Sequence, residues 1–343
     1  MPHSIALNFE DGVTRVIEAR DGETVADASY RLGINIPLDC RDGACGTCKC
    51  RVACGAFDAG FYIEDALTDA EAAEGFALAC QAVARSNLVV EIAASSAMCK
   101  TRAASFDATI EAVERLSPTT LAFRLEGAGA VPFLAGQYVN LRIPGTEARR
   151  SYSFASAPGD PRLAFLVRDI PEGRMSAFLR AARPGTAIDF TGPSGSFYLR
   201  DVTRPLLFLA GGTGLAPFLS MLRQLAETGT NGQPVHLVYG VTRDDDLVEV
   251  ATLEALAAQI PGFTWTAVVA DPASTRPRKG YVTDHLEPAQ LHAGEIDLYL
   301  CGPPPMVEAV RGWLGARGIT PASFHTEKFA VSGAAAEPLK LAS

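Results

Sequence analysis

Basic residues are in short supply in this chain: 30 Lys and Arg stand against 39 Asp and Glu, a net charge of −9 over 343 residues. A protein that grips nucleic acid neutralises phosphates with a basic face, so nucleic acid is not an expected partner. Histidine is scarcer still, at five, and no H-x-x-x-H-like pair offers an iron site. The start, Met1-Pro2-His3-Ser4-Ile5, lacks the basic opening and apolar run of a secretory signal, and the expected location is cytoplasmic. A continuous apolar span is missing as well. Pro205 to Leu222 is uncharged for nearly the length needed to cross a bilayer, but Gly211, Gly212, Gly214 and Pro217 break it into strand, turn and helix, so no membrane association is expected. In so long a chain without a signal, eight cysteines do not read as a disulfide framework.

Four of those cysteines form a pattern. Cys40, Cys45 and Cys48 are separated by four and then two residues, and Cys80 follows after 31 more. This is the plant-type spacing of a [2Fe-2S] cluster. Zinc is the alternative, but structural zinc sites more often come as two close pairs, and here the fourth ligand stands alone. Gly43 and Gly46 are expected to let backbone N–H groups approach the anionic cluster, and Arg41 to add positive charge. Cys50 and Cys54 read as small residues near the loop; Cys99 and Cys301 also stand outside the set.

The length suggests two or three domains. Around the cysteines, Ile5–Phe9 and Thr14–Ala19 read as a hairpin, Thr24 to Asp27 as a capping box opening a helix to Leu32, and Leu88–Ile92 as a closing strand. That is a β-grasp layout, expected over residues 1–97, with a small polar linker at 98–105. Residues 1–100 carry 8 basic and 15 acidic side chains, so the acidity is concentrated here, either as a solvated face or as a docking surface for a basic partner.

Residues 106–204 change to short strands with Pro and Gly turns, at 107–114, 119–125, 138–143, 151–156 and 163–167, the pattern of an antiparallel β-barrel. Gly173 to Ser176 leads into a helix expected over Ala177–Arg183, whose N-terminus suits a pyrophosphate. From 205 to 343, strands and helices alternate as in a doubly wound parallel sheet, with Gly211–Gly214 and Cys301–Pro304 at the strand ends where a ligand binds. Gly212-x-Gly214-x-x-Pro217 lacks the third glycine of the usual dinucleotide fingerprint.

Taken in order, Arg150-Ser151-Tyr152-Ser153, Gly173-x-x-Ser176, Gly211-Gly212-Thr213-Gly214, Cys301 to Met306 and Glu327-Lys328-Phe329 resemble the motifs of a ferredoxin fused to a ferredoxin-NADP reductase-type flavoprotein. The resemblance covers essentially the whole chain. It implies that Tyr152 packs on the flavin ring, Ser153 lies near flavin N5, Arg150 pairs with the FAD pyrophosphate, and Met175 and Ser176 cap it. It places Thr213 and Cys301 beside the nicotinamide, so that Ser153, Thr213 and Cys301 are the expected catalytic residues. Val167, Gly173, Gly211, Gly212, Gly214, Gly302 and Phe329 are the further expected cofactor contacts. One departure is the tail that runs on from Ala330 to Ser343.

Within that family the chain is similar to reductases of the benzoate 1,2-dioxygenase kind, on residues 40–48, 62–68, 134–140, 195–202 and 279–283. This implies electron flow from NADH to FAD, to [2Fe-2S], and on to the Rieske centre of a separate oxygenase. A flavin is needed between the ends, because NADH gives two electrons together and the cluster takes one. The reductase of an anthranilate, toluate or phenol-type oxygenase is the alternative, and a non-enzymatic iron-sulfur redox sensor is another of a different class. Hydride transfer needs no general base, so His236, His285, His292 and His325 read as structural. Asp244, Asp245 and Asp246, after the strand 235–239, are expected to favour NADH over NADPH by repelling a 2′-phosphate, against Arg243, Arg276, Arg278 and Lys279.

Overall fold

The structure, a computed structural model, describes residues 2–38, 41–44, 46–64, 66–100 and 104–329. Alternation in His3–Phe9 puts Ile5, Leu7 and Phe9 on one buried face. That strand pairs antiparallel with Thr14–Ala19 and parallel with Leu88–Ile92, and Lys49–Cys54 and Phe76–Leu78 complete a five-stranded mixed sheet. The helix Val25–Arg31 packs Val25 and Ala28 into the same core. Its expected capping box is only half made: the Thr24 hydroxyl accepts from the Asp27 amide, while the Asp27 carboxylate takes the Thr24 hydroxyl and Arg41. A 3-10 turn, Met98–Lys100, tucks Cys99 into this first core, and the next strand begins at Ala104.

Six antiparallel strands follow, in the order Arg149–Ser153, Tyr138–Arg142, Ala187–Ser194, Ala104–Ser117, Thr120–Glu126 and Leu163–Arg168. A bridge between Phe154 and Phe165 joins the two outer strands and closes the barrel expected from the sequence. The strand Ala187–Ser194 was not among those expected; Gly192 and Pro193, residue types more common in turns, lie inside it. The barrel's helix runs Arg174–Ala181, three residues earlier than expected, since Met175 and Leu179 reach the barrel core only if the first turn starts there.

The third sheet is wholly parallel, in the order Phe263–Val269, Val235–Val241, Leu206–Gly211, Asp297–Gly302, Ser323–Lys328. Helices Leu215–Thr228 and Val250–Gln259 cover one face and Pro304–Gly315 the other, the doubly wound arrangement. Its last strand was missed: Ser-Phe-His-Thr-Glu-Lys has none of the apolar continuity of a buried parallel strand. Among the described residues no helix is long and apolar enough to cross a membrane.

Barrel and parallel sheet share one core. Ala135, Ala155, Leu166, Phe197 and Leu199 join the residues of the helix Leu215–Thr228, with Phe197 edge-on to Phe218 and Tyr299 at 5.8 Å each. The N-terminal unit is attached differently, through polar contacts. Arg200 pairs with Glu10 at 3.0 Å, donates to the Ala93 carbonyl, and stacks on Tyr198, whose hydroxyl accepts from the Ser95 amide. Glu71 bridges Lys49 of its own unit, at 2.7 Å, to Arg311 on the helix Pro304–Gly315.

Candidate functional site

The loops after strands Leu206–Gly211 and Asp297–Gly302 pack closely against each other. A Cβ on Gly214 would lie 2.3 Å from the Cys301 carbonyl oxygen, and one on Gly211 would lie 2.7 Å from Met306 Sδ. Glycine at 214 is thus required by the close approach of two main chains, and at 211 by the Met306 side chain. Gly212 and Thr213 fill a single 3-10 turn between strand and helix and are partly exposed, with Gly302 ending the neighbouring strand. Phe329 follows the strand Ser323–Lys328; its amide donates to the Gly302 carbonyl and its ring packs against the shared core.

Beside these loops lies a carboxylate that the sequence reading did not assign. Glu327 Oε2 accepts from Ser153 Oγ at 3.1 Å and from Cys301 Sγ at 3.8 Å. One comes from the barrel and the other from the centre of the parallel sheet, so Glu327 ties together the two residues expected on either side of the reacting atoms. Burial pushes the Cys301 thiol well above its ordinary value and the Glu327 charge adds to the shift, so Cys301 stays a neutral donor. The motif Glu-Lys-Phe carried Glu327 all along; its role needs the unexpected strand.

On the barrel, Tyr152 is half-buried and meets Phe123 edge-on at 6.2 Å, and desolvation pushes its phenol up to about 12 despite nearby Arg150. The Arg150 guanidinium is partly exposed and donates to the Arg149 carbonyl at 2.7 Å. Val167 is buried in the adjoining strand Leu163–Arg168. Gly173 is the N-cap of the helix, with no side-chain cap. Met175 points into the core, and the Ser176 hydroxyl accepts from the Ile170 amide at 2.9 Å and donates to the Arg168 carbonyl. What this helix start offers an anion is therefore its first amides rather than those two side chains.

After the strand Val235–Val241, two of the three aspartates are already committed. Asp244 accepts from Ser274 and Thr275, tying down the following loop, and Asp246 accepts from the Arg243 amide and from Thr119 of the barrel. Asp245 stays exposed.

Of the four expected cluster ligands, Cys40 and Cys45 lie outside the described residues. Cys48 and Cys80 are buried and adjacent in the fold, the Ala79 amide donating to the Cys48 carbonyl at 3.0 Å. Gln81 Nε2 donates to Cys80 Sγ at 3.8 Å and to the Arg41 carbonyl at 3.0 Å. Amide donors on buried sulfurs suit the thiolates of an anionic cluster, so the described half of the donor set fits one. Gly43 adopts φ +83°, and a Cβ there would lie 2.3 Å from the Phe61 carbonyl oxygen, so a side chain at this position would also clash with the segment Gly60–Glu64. Arg41 is turned to Asp27 at 3.1 Å. Cys50 donates to the Ala77 carbonyl and its thiol is pushed up to about 12 by burial, as is that of Cys99, while Cys54 is exposed. Cys48 and Thr47 line a small gap whose far wall is Ser196 of the barrel, so the cysteine loop faces the flavin-type unit.

Comparison with known proteins gives this geometry a family. Residues 8–85 match the 2Fe-2S iron-sulfur cluster binding domain, 107–198 the oxidoreductase FAD-binding domain, and 208–312 the oxidoreductase NAD-binding domain. The toluate 1,2-dioxygenase electron transfer component of Pseudomonas putida is 54% identical over 97% of this chain and 100% of its own length. The chain belongs to the family of dioxygenase electron transfer components. Two further members are the 2-halobenzoate 1,2-dioxygenase component of Burkholderia cepacia, 52% identical over 96% of this chain and 98% of its own, and the anthranilate 1,2-dioxygenase component of Acinetobacter baylyi, 41% identical over 98% and 99%. Among solved structures, a cytochrome P450 reductase from Amycolatopsis superposes with TM-score 0.68 at 33% identity, covering 95% of this chain and 98% of that one. The ferredoxin reductase of carbazole 1,9a-dioxygenase gives 0.65 at 25%, covering 96% and 100%. This electron transfer component is thus an oxidoreductase of ferredoxin-reductase type, with an iron-sulfur, an FAD and an NAD domain.

Proposed function

We propose that the chain is the NADH-dependent reductase component of a benzoate 1,2-dioxygenase, passing electrons through FAD and a [2Fe-2S] cluster to the Rieske centre of the oxygenase in the cytoplasm. The observation that carries the reading is the meeting of Ser153 and Cys301 on Glu327, in a chain whose cysteine loop faces the same barrel. Bound FAD would supply the chemistry the protein lacks, taking two electrons as hydride and releasing them singly. Tyr152 offers its ring to the flavin, Arg150 its charge to the pyrophosphate, and Gly173, Met175 and Ser176 their amides. Val167 would line the barrel side, and Ser153, its hydroxyl held on Glu327, would face the flavin. Gly211, Gly212, Thr213 and Gly214 would bind the dinucleotide beside Cys301 and Gly302, with Gly212 facing open space, and Phe329 lies next to Gly302. Cys40, Cys45, Cys48 and Cys80 hold the cluster. The functional boundaries are taken as 1–97, 98–105, 106–204 and 205–343.

Benzoate is favoured because the toluate, 2-halobenzoate and anthranilate named in the relatives are all substituted benzoates. The test is substrate-dependent NADH consumption with purified oxygenase components. Coupling is expected with the benzoate oxygenase at low micromolar component. A chain that couples only with the anthranilate or toluate oxygenase overturns the choice of substrate, and one that reduces no oxygenase overturns the role.

A further inference from the structure

Two parts of the described chain pack on the cysteine loop. Thr47 and Cys48 look across the small gap to Ser196, and next to them Lys49 shares Glu71 with Arg311, so this face is held against the reductase units. The segment Gly60–Glu64 packs on the loop at Gly43, away from the residues that line the gap. The Ile63 amide donates to the Gly43 carbonyl, the Phe61 carbonyl sits in the space that a Cβ on Gly43 would fill, and Gly60 abuts Gln81, the neighbour of Cys80. The segment is therefore fixed to the loop at both Gly43 and Cys80–Gln81. Tyr62 and Ile63 pack against the first core, whereas Phe61 points outward and is 65% exposed. An aromatic ring so far from water's exclusion contributes nothing to folding, while a rigidly mounted exposed ring is what the centre of a protein interface uses. Asp42, next to Gly43, and Glu64, three residues after Phe61, are both exposed, in the unit that carries 8 basic and 15 acidic residues in its first hundred.

We propose that Phe61, flanked by Asp42 and Glu64, is the docking surface for the electron acceptor, and that the acceptor presents a basic rim around an apolar contact. The proposal rests on the reading of the chain as an oxygenase reductase, and the acceptor is that oxygenase. The geometry adds something that reading does not contain: electrons enter the loop from the Ser196 side and leave from the Phe61 side, so the acceptor docks while the iron-sulfur unit stays clamped by Glu10–Arg200 and Glu71–Arg311. Each encounter moves one electron from the reduced cluster to the oxidised acceptor, and two encounters discharge the pair delivered by one NADH.

The test uses the full-length holoprotein and the benzoate oxygenase component. Phe61→Ala and Glu64→Lys are each expected to raise the KM for the oxygenase and its dissociation constant in a direct binding assay about tenfold, with wild-type affinity falling as salt rises. NADH-dependent ferricyanide reduction and the visible absorption of the cluster should be unchanged in both, which separates docking from folding. Arg311→Ala, which loosens the clamp, should slow delivery to the oxygenase without weakening binding. Unchanged KM and affinity in Phe61→Ala overturn the surface. Faster delivery in Arg311→Ala overturns docking in the clamped state. A wild-type protein that reduces cytochrome c but binds no oxygenase overturns the reading on which both rest.

Discussion

At the scale of single residues, the site divides into what spacing can carry and what only contact can. The cysteine pattern was readable because three of the four proposed ligands lie close along the chain and Cys80 follows at the family's spacing; Cys50 and Cys54, which break it, are placed on a strand and serve as a packed and an exposed residue. Cys80→Ala should therefore abolish the visible iron-sulfur absorption, while Cys54→Ala should leave it intact; equal iron loss would undo the ligand assignment. Glu327 was not readable, since nothing in sequence shows that a carboxylate 174 residues from Ser153 will accept its hydroxyl. Glu327→Gln keeps one acceptor oxygen but removes the charge, and is expected to slow flavin reduction by NADH about 10- to 100-fold through lost alignment, with flavin content unchanged, in stopped-flow measurements. The three aspartates looked equivalent in sequence and are not. Asp244 and Asp246 are held by hydrogen bonds while Asp245 is exposed and free to face a bound ribose, so Asp245→Asn should lower the NADH to NADPH ratio of kcat/KM about fivefold at low salt, the effect of roughly 1 kcal/mol. An unmoved ratio would place the ribose against Arg276 and Arg278 instead.

At the scale of elements, strands and helices with clear periodicity were legible and those made of polar or turn-like residues were not. Val235–Val241 and the helix Leu215–Thr228 announce themselves by apolar pattern, whereas Ala187–Ser194 and Ser323–Lys328 exist because a neighbouring strand completes their hydrogen bonds. The short helix Asp69–Ala73 shows how an element with no buried residue can still matter. Its cap, Thr68, and Glu71 form a reciprocal capping box, and the same Glu71 reaches Lys49 and Arg311. Burial acts to raise the Glu71 carboxyl, but Lys49, the Thr68 amide and Arg311 overrule it and hold the group at about 2, below the ordinary 4.5. A carboxyl lowered in the fold stabilises above its unfolded value and loses that contribution as pH falls toward its folded one. The stability difference between the wild type and Glu71→Gln should thus be constant from about pH 8 to 5 and narrow below about 4.5, as followed by chemical denaturation. A difference that widened on acidification would show the pair to be unimportant.

At the scale of the whole molecule, the order of three units was legible from motif order, because each unit's motif is local. How they are joined was not, since the connecting groups are single side chains far apart in sequence. Arg200 is the clearest of them. Its amide donates to the Tyr299 hydroxyl in the parallel sheet, its guanidinium to Glu10 and Ala93 in the iron-sulfur unit, and the residue itself belongs to the segment leaving the barrel. A residue bonded to three bodies at once is a thermodynamic link among them. Heating the protein should therefore give one calorimetric transition in which the enthalpy measured directly equals that inferred from its sharpness, rather than a staircase of three. Arg200→Met removes charge-assisted hydrogen bonds worth about 1.5–3 kcal/mol each at most. The expected result is an early, separate melting of the iron-sulfur unit, with barrel and parallel sheet still unfolding together over the core they share. In that sense the protein's heat capacity trace reads out a few side chains, with Arg200 foremost and Arg311 as the second tie.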